Sequence, residues 1–346
     1  MPRNPSRRTL LFAAALALTA VGATACGGGG DTAEGGDRPV VRIAYQAIPN
    51  ADLVVKNQGL LEKALPDVTV KWVKFESGGD VNTAVIAGAV DLGLAGSSPV
   101  TKGLSAPLNI PYKVLWVHDL IGDNEALVAK SGIGSVKDLA GRKVATPFGS
   151  TAHYSLLAAL TAAGVDPSKV SIVDLQPQDA LAAWKRGDVD AAYVWTPTLG
   201  ELKKDGKVLV SSRQLAERGK PTADLGVVTN AFAAAHPEVV TAWVKAQDAA
   251  VTQARTEPDR AAKSIGAELG LPADEAKRQL AELVLLDAKE QAGPEYLGTP
   301  GKPGKLAANL RDAAEFLKGQ KAVDAVPDTA VFERALAVEE LARAAR

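Results

Sequence analysis

The polar residues best placed to do chemistry in this chain sit in short turns that follow apolar runs. Ala145-Thr146-Pro147-Phe148-Gly149-Ser150-Thr151-Ala152-His153-Tyr154 leaves a short apolar stretch, turns through Pro147 and Gly149, and enters a run with helical apolar spacing. Ser150 and Thr151 fall at the helix N-cap, where first-turn N–H groups have no intrahelical partner, so the turn suits an anion. Capping by itself accounts for Ser150 equally well. Gly96-Ser97-Ser98-Pro99 is a second such turn, with Pro99 suited to a first helical turn, and Tyr45-Gln46 closes a third apolar run. Other chemistries lack their residues. His118, His153 and His236 have no metal-ligand spacing, no Gly-x-Ser-x-Gly elbow or Gly-x-x-x-x-Gly-Lys-Ser/Thr loop occurs, and Cys26 is the only cysteine. The chain is therefore expected to need no metal and no cofactor, and to be a binding protein rather than an enzyme.

The elements that must position these turns alternate. Strands are expected at Val40 to Tyr45, Val68 to Phe75 and Asp91 to Ala95, with helices from Asp52 to Leu65 and Asp80 to Ala89. A second unit from about Leu127 to Val210 has strands near Lys143 to Ala145, Val170 to Leu175 and Ala191 to Trp195, and helices at Ala152 to Ala163 and Asp179 to Arg186. Leu225 to Thr229 reads as a strand returning to the first unit, and Ala231 to Arg346 as almost wholly helical, broken by the loop Gly293 to Gly304. Such alternation implies parallel sheets with a ligand crevice at the strands' carboxyl ends, which is where the three polar turns fall. The expected fold is α/β, with two lobes joined by crossings near Ala126 and Ala223 and a C-terminal helical wrap.

The N-terminus has its own logic. Arg3, Arg7 and Arg8, an apolar run from Leu10 to Ala20 and the small residues Ala23-Thr24-Ala25 precede Cys26, the pattern of a signal peptide. The run is too short to span a bilayer. It resembles a bacterial lipoprotein signal, in which the cysteine becomes the lipidated first residue, and Arg7-Arg8 also resembles a twin-arginine signal. The Gly-rich stretch after Cys26 reads as a flexible tether. The implied segments are a signal peptide over 1–25, a tether over 26–38, a first lobe over 39–126, a second over 127–222, and a return to the first over 223–346. At 346 residues and 47% hydrophobic the chain can bury two cores. Losing the leader's three arginines takes the formal charge from −1 to −4, and no basic stripe favours nucleic acid.

The run Ser150 to Leu160, with Leu175-Gln176-Pro177, Ala182-Ala183-Trp184-Lys185-Arg186-Gly187-Asp188 and Ala192-Tyr193-Val194-Trp195, closely resembles the taurine-binding proteins of ABC importers. So do Ala44-Tyr45-Gln46, Leu94-Ala95-Gly96-Ser97-Ser98-Pro99, Asn124-Glu125-Ala126-Leu127-Val128, Pro221-Thr222 with Asp224, and His236-Pro237-Glu238. The resemblance runs from about Val41 to Val244 and implies the type II periplasmic-binding-protein fold. It also implies export, a lipid anchor through Cys26 on the outer face of the cytoplasmic membrane, a permease partner, and a monomer that binds taurine or a related sulfonate. Two positions depart from the family: Ala152 where a Thr is common, and Gly226 where a large Trp is common. The second departure is expected to open the pocket wall.

Taurine carries a sulfonate and an ammonium two methylenes apart, so its site needs donors at one end, carboxylate at the other, and a wall between. Ser97, Ser98, Thr151 and the N–H groups of Thr151, Ala152 and His153 are the candidates for the sulfonate, with Gln46 and Tyr45 beside them. Asp224, by its match to the family's aspartate, is the first choice for the ammonium and Glu125 the second. Trp195 is preferred over Tyr193 for the wall, through cation–π contact. A binding protein for another small anion such as nitrate, or for a pyrimidine or thiamine precursor, remains an alternative, as does an enzyme on the same two-lobe fold.

Overall fold

The computed structural model describes residues 38–344. The leader, Cys26 and all but the last residue of the tether, on which the export and anchoring expectations rest, lie outside them. The first sheet begins with β1 (Val40–Tyr45), β2 (Thr69–Lys74), β3 (Leu92–Gly96) and β4 (Tyr112–Leu120), joined through α1 (Ala51–Gln58), α2 (Leu60–Ala64), α3 (Gly78–Ile86) and α4 (Ser97–Leu104). The second holds β5 (Glu125–Ala129), β6 (Lys143–Thr146), β7 (Ser171–Asp174), β8 (Ala191–Trp195) and β9 (Lys207–Ser211), with α5 (Thr151–Ala162), α6 (Pro177–Arg186), α7 (Thr198–Leu202) and α8 (Ser212–Ala216). β10 (Ala223–Thr229) then returns to the first sheet, and α9 (Asn230–Ala235), α10 (Pro237–Thr256) and further helices to Ala344 wrap it.

Both sheets have five strands, in the orders β2-β1-β3-β10-β4 and β7-β6-β8-β5-β9. In each, three parallel strands are followed by one antiparallel strand that has just crossed from the other lobe: β10 runs against β3, and β5 against β8. This arrangement decides where the site lies, because an antiparallel strand starts beside the place where its parallel neighbour ends. Asp224, second residue of β10, is in register with Gly96, the last of β3, and Glu125 pairs with Trp195, the last of β8.

The structure differs from the sequence reading at several elements. The helix expected from Asp52 to Leu65 is two helices, because Gly59 caps α1 in the left-handed conformation (φ 60°) and redirects the chain. The reading passed over β4, β5 and β9. β4 and β5 are covered on both faces, so their sequences carry continuous apolar runs without the alternation that marks a half-buried strand. The crossing expected near Ala126 falls earlier, between Leu120 and Glu125, since Ala126 is already the second residue of β5. Within the C-terminal loop Gly298–Thr299 and Lys302–Pro303 form a small hairpin.

The central strands are packed out by fully buried Ile43, Leu92, Leu94, Val114 and Leu225 in the first lobe and by Leu127, Val144 and Tyr193 in the second. Trp116 and Trp243 are also completely enclosed, and they bear on Gly226. A Cβ on that residue would stand 2.6 Å from the Trp243 ring and 3.2 Å from His118 Nε2. The space a large β10 side chain would take is thus filled by an indole from α10. Gly226 does not line the cleft, and the expected opening of the pocket wall is overturned.

Candidate functional site

The C-terminal ends of β1, β3, β6 and β8 and the first residues of β5 and β10 enclose a cavity between the two sheets. Gln46, Ile48, Gly78, Gly96, Pro99 and Asp224 line it from the first lobe. Ser150, Thr151, Glu125 and Trp195 line it from the second, with Ile121 and Asn124 from the crossing. The lobes meet closely. A Cβ on Gly96 would lie 2.5 Å from Thr151 Cγ2, and Gln176 Nε2 reaches across to Asp80 Oδ2 at 3.4 Å. The enclosed space is about 10 Å³, roughly what one water requires.

Five of the ten residues expected in the site reach this cavity: Gln46, Glu125, Thr151, Trp195 and Asp224. The other five are close by but turned elsewhere. Tyr45 packs edge-on against Trp72 and under the Lys56 ammonium. Ser97 accepts the Ala223 N–H through its hydroxyl at 3.2 Å and faces a separate cavity of about 260 Å³ with Thr222 and Leu310. Ser98 is buried in the first turn of α4, and the Ala152 side chain in that of α5. His153 stacks on Phe148, accepts the Gly149 N–H at 3.2 Å, and is held neutral by burial, which lowers its pKa to about 4.

Hydroxyl protons in the second lobe are already committed. Ser150 Oγ donates to the Pro147 carbonyl at 2.6 Å while accepting the His153 N–H, which is N-capping. Thr151 Oγ1 donates to Glu125 Oε2 at 2.5 Å, and Ser212 and Ser155 donate to Glu125 Oε1 at 2.6 and 3.3 Å. What Thr151 can offer an anion is therefore its backbone N–H, with that of Ala152, rather than its hydroxyl. Three helices of eight or more residues start at the cavity: α3 at Gly78, α4 at Ser97 and α5 at Thr151. Their unpaired first-turn N–H groups give the cavity a partial positive rim.

The opposite character comes from carboxylates. Glu125 and Asp224 line the cavity, and Asp119 on β4 is the register partner of Asp224. All three are buried, and none forms an ion pair among the described residues. Burial raises the pKa of each. For Asp119 it reaches about 7, with the Asn50 amide opposing and Glu125 adding to the rise. Asp224 is raised well above the usual carboxylate range by burial and then by its neighbours Asp119 and Glu125. Glu125 rises by burial against the opposing effect of its three hydroxyl donors. Among the described residues no group of three or more His, Cys, Asp or Glu side chains is arranged to hold a metal ion. The cavity thus brings helix starts and buried carboxylates side by side, Glu125 against Thr151 and Asp224 beside Gly96, with Trp195 in the lining.

Sequence reasoning missed Asp119, Gly78, Ile48, Ile121 and Asn124. Asp119 carried a readable signal, since it is a lone carboxylate at the end of an apolar run, as Asp224 is at the start of one. Gly78 follows the Ser77 N-cap and signalled only a helix start.

Comparison with known proteins agrees with this geometry. The profile of the family described as "NMT1/THI5 like" matches residues 53–261. The chain is 38% identical over 292 residues to the taurine-binding periplasmic protein of Escherichia coli, covering 83% of this chain and 88% of that one. It is 30% identical to a putative aliphatic sulfonates-binding protein of Bacillus subtilis, over 68% and 72% of the two chains. Among solved structures, the alkanesulfonate-binding protein SsuA of Xanthomonas axonopodis pv. citri bound to MOPS superposes with a TM-score of 0.69 at 22% identity, covering 86% and 97%. The desulfurization enzyme DszB shares the fold at a TM-score of 0.62 and 18% identity, covering 89% and 99%.

Proposed function

The chain belongs to the NMT1/THI5-like family, and we propose that it is the exported binding protein of an ABC importer, taking taurine or a related sulfonate into the interlobe cleft and delivering it to the permease. The observation that carries this reading is that helix starts and buried carboxylates meet in one cavity. Helix starts without internal N–H partners stand beside buried carboxylates without cations, a pattern complementary to a small zwitterion. Sulfonate oxygens would take the Thr151 and Ala152 N–H groups and the start of α4. The ammonium would lie at Asp224, with Glu125 behind it and Trp195 over the methylenes. Entry requires the lobes to part, because about 10 Å³ does not admit a ligand of this size. The lobes, with the first boundary moved to the crossing before Glu125 and the second near 222, then close on the ligand.

A transport role is supported by the relatives, which are named as binding proteins. We further propose that Cys26 carries the lipid anchor and that the protein works as a monomer at the outer face of the cytoplasmic membrane. Replacing Cys26 by Ser is expected to shift the protein out of the membrane fraction with ligand binding intact, and retention on the membrane would contradict the anchor. The function is tested by calorimetric titration with taurine, ethanesulfonate, nitrate and a pyrimidine. Taurine is expected to bind tightest, and preference for nitrate or the pyrimidine would overturn the assignment.

A further inference from the structure

Asp119 and Asp224 are register partners on adjacent antiparallel strands, beside a bulge between Asp224 and Leu225, and like charges so opposed repel. Asp119 is wholly buried and Asp224 is 5% exposed. One oxygen of Asp119 accepts from Asn50 Nδ2 at 3.3 Å; the other, Oδ1, is buried with no hydrogen-bond partner. Two ionised carboxylates in that setting, with Glu125 facing them, would be three buried negative charges with no counter-ion. Among the described residues no cation on the surrounding elements forms an ion pair with them. Lys56 on α1 is held by Glu268, Arg213 on α8 by Asp123, and Lys203 after α7 by Glu282. Lys102 on α4 acts on His153. Asp52 on α1 is acidic and bonded to Gln247, and His118, the neighbour of Asp119 on β4, is held neutral by burial against Trp243.

We propose that Asp119 and Asp224 share one proton when no ligand is bound, and that the ammonium of an amino-sulfonate displaces it, so that ligand capture is coupled to proton release. This rests on the functional reading above. In the step, the carboxyl O–H bond breaks, the proton leaves to solvent, and ammonium N–H groups donate to the freed carboxylate oxygens. One positive charge replaces another, so the buried net charge at the pair does not change. Asp119, which does not line the cavity, acts as a positioning residue that adds to the effect of burial on the proton occupancy of Asp224. A sulfonate without an amine supplies no replacement charge and leaves the proton in place.

The experiment is titration calorimetry of the purified protein with taurine near pH 6.5 in two buffers of different ionisation enthalpy, repeated with ethanesulfonate and with Asp119→Asn. About one proton released per taurine is expected, with none for ethanesulfonate. Taurine affinity should accordingly rise with pH, by up to about tenfold per unit, as long as the free protein holds that proton. Asp119→Asn should still bind taurine, with its proton release reduced and its pH dependence displaced to lower pH. Taurine binding with the same heat in both buffers would overturn proton coupling while leaving the function standing. Failure of taurine to bind would overturn the functional reading and the coupling with it. Should Asp119→Asn not fold, the buffer dependence of the parent protein decides the question alone.

Discussion

Gly96 shows how a single residue type is fixed by contact between the lobes. The Cβ that alanine would add meets Thr151 Cγ2 at 2.5 Å, whereas its distances to Asp224 Oδ1 and Pro99 Cδ, both 3.5 Å, are ordinary contact. Overpacking of this kind costs about 1–3 kcal/mol, here charged to closure rather than to folding, because the clash spans the two lobes. Gly96→Ala is expected to weaken taurine binding by about 5- to 150-fold with little change in thermal stability, and adding Thr151→Ser should restore most of it. Unchanged affinity by calorimetry would contradict the closed contact. At this scale the sequence was informative where a polar residue followed an apolar run. Gln46, Thr151 and Trp195 at strand ends and Glu125 and Asp224 at the crossings were all legible. It was silent where a side chain's direction depends on local packing: Tyr45 turned to Trp72, Ser97 to the Ala223 N–H, and Gly226 was occupied by an indole 17 residues further on.

Helices and strands divide the work of the site between them. The starts of α3, α4 and α5 bring unpaired N–H groups to the cavity, each anchored by a preceding turn whose residues announced it: Ser77 caps Asp80, Gly96 precedes Ser97, and Ser150 caps His153. The antiparallel strands β5 and β10 bring the carboxylates, because each starts where a parallel neighbour stops. The first half of this arrangement was readable, since capping residues and Pro99 mark helix starts in any context. The second half was readable only for β10. β5 follows the turn residues Gly122-Asp123-Asn124, but with β4 it belongs to buried strands whose apolar runs leave strand and helix undistinguished. Losing β4 from the reading also lost Asp119, whose significance comes only from its register with Asp224.

On the scale of the whole molecule, two similar sheets exchange one strand position each, and the ligand cavity occurs where the exchange takes place. Charge within it is arranged in advance: helix starts stand beside acids whose ionisation burial opposes. On the proposed reading a cation that enters relieves that opposition, and ligands that carry one are preferred. The most direct test compares taurine with ethanesulfonate, which keeps the sulfonate and lacks the amine, on the parent protein and on Asp224→Ala by calorimetry at pH 8. Leaving a buried carboxylate without its partner costs about 3–5 kcal/mol, so the parent should prefer taurine by hundreds-fold, reduced to the extent that Asp224 takes up a proton instead. Asp224→Ala should bring the two ligands close together, chiefly by weakening taurine. Equal affinity of the parent for both ligands, with neither affected by Asp224→Ala, would contradict the account.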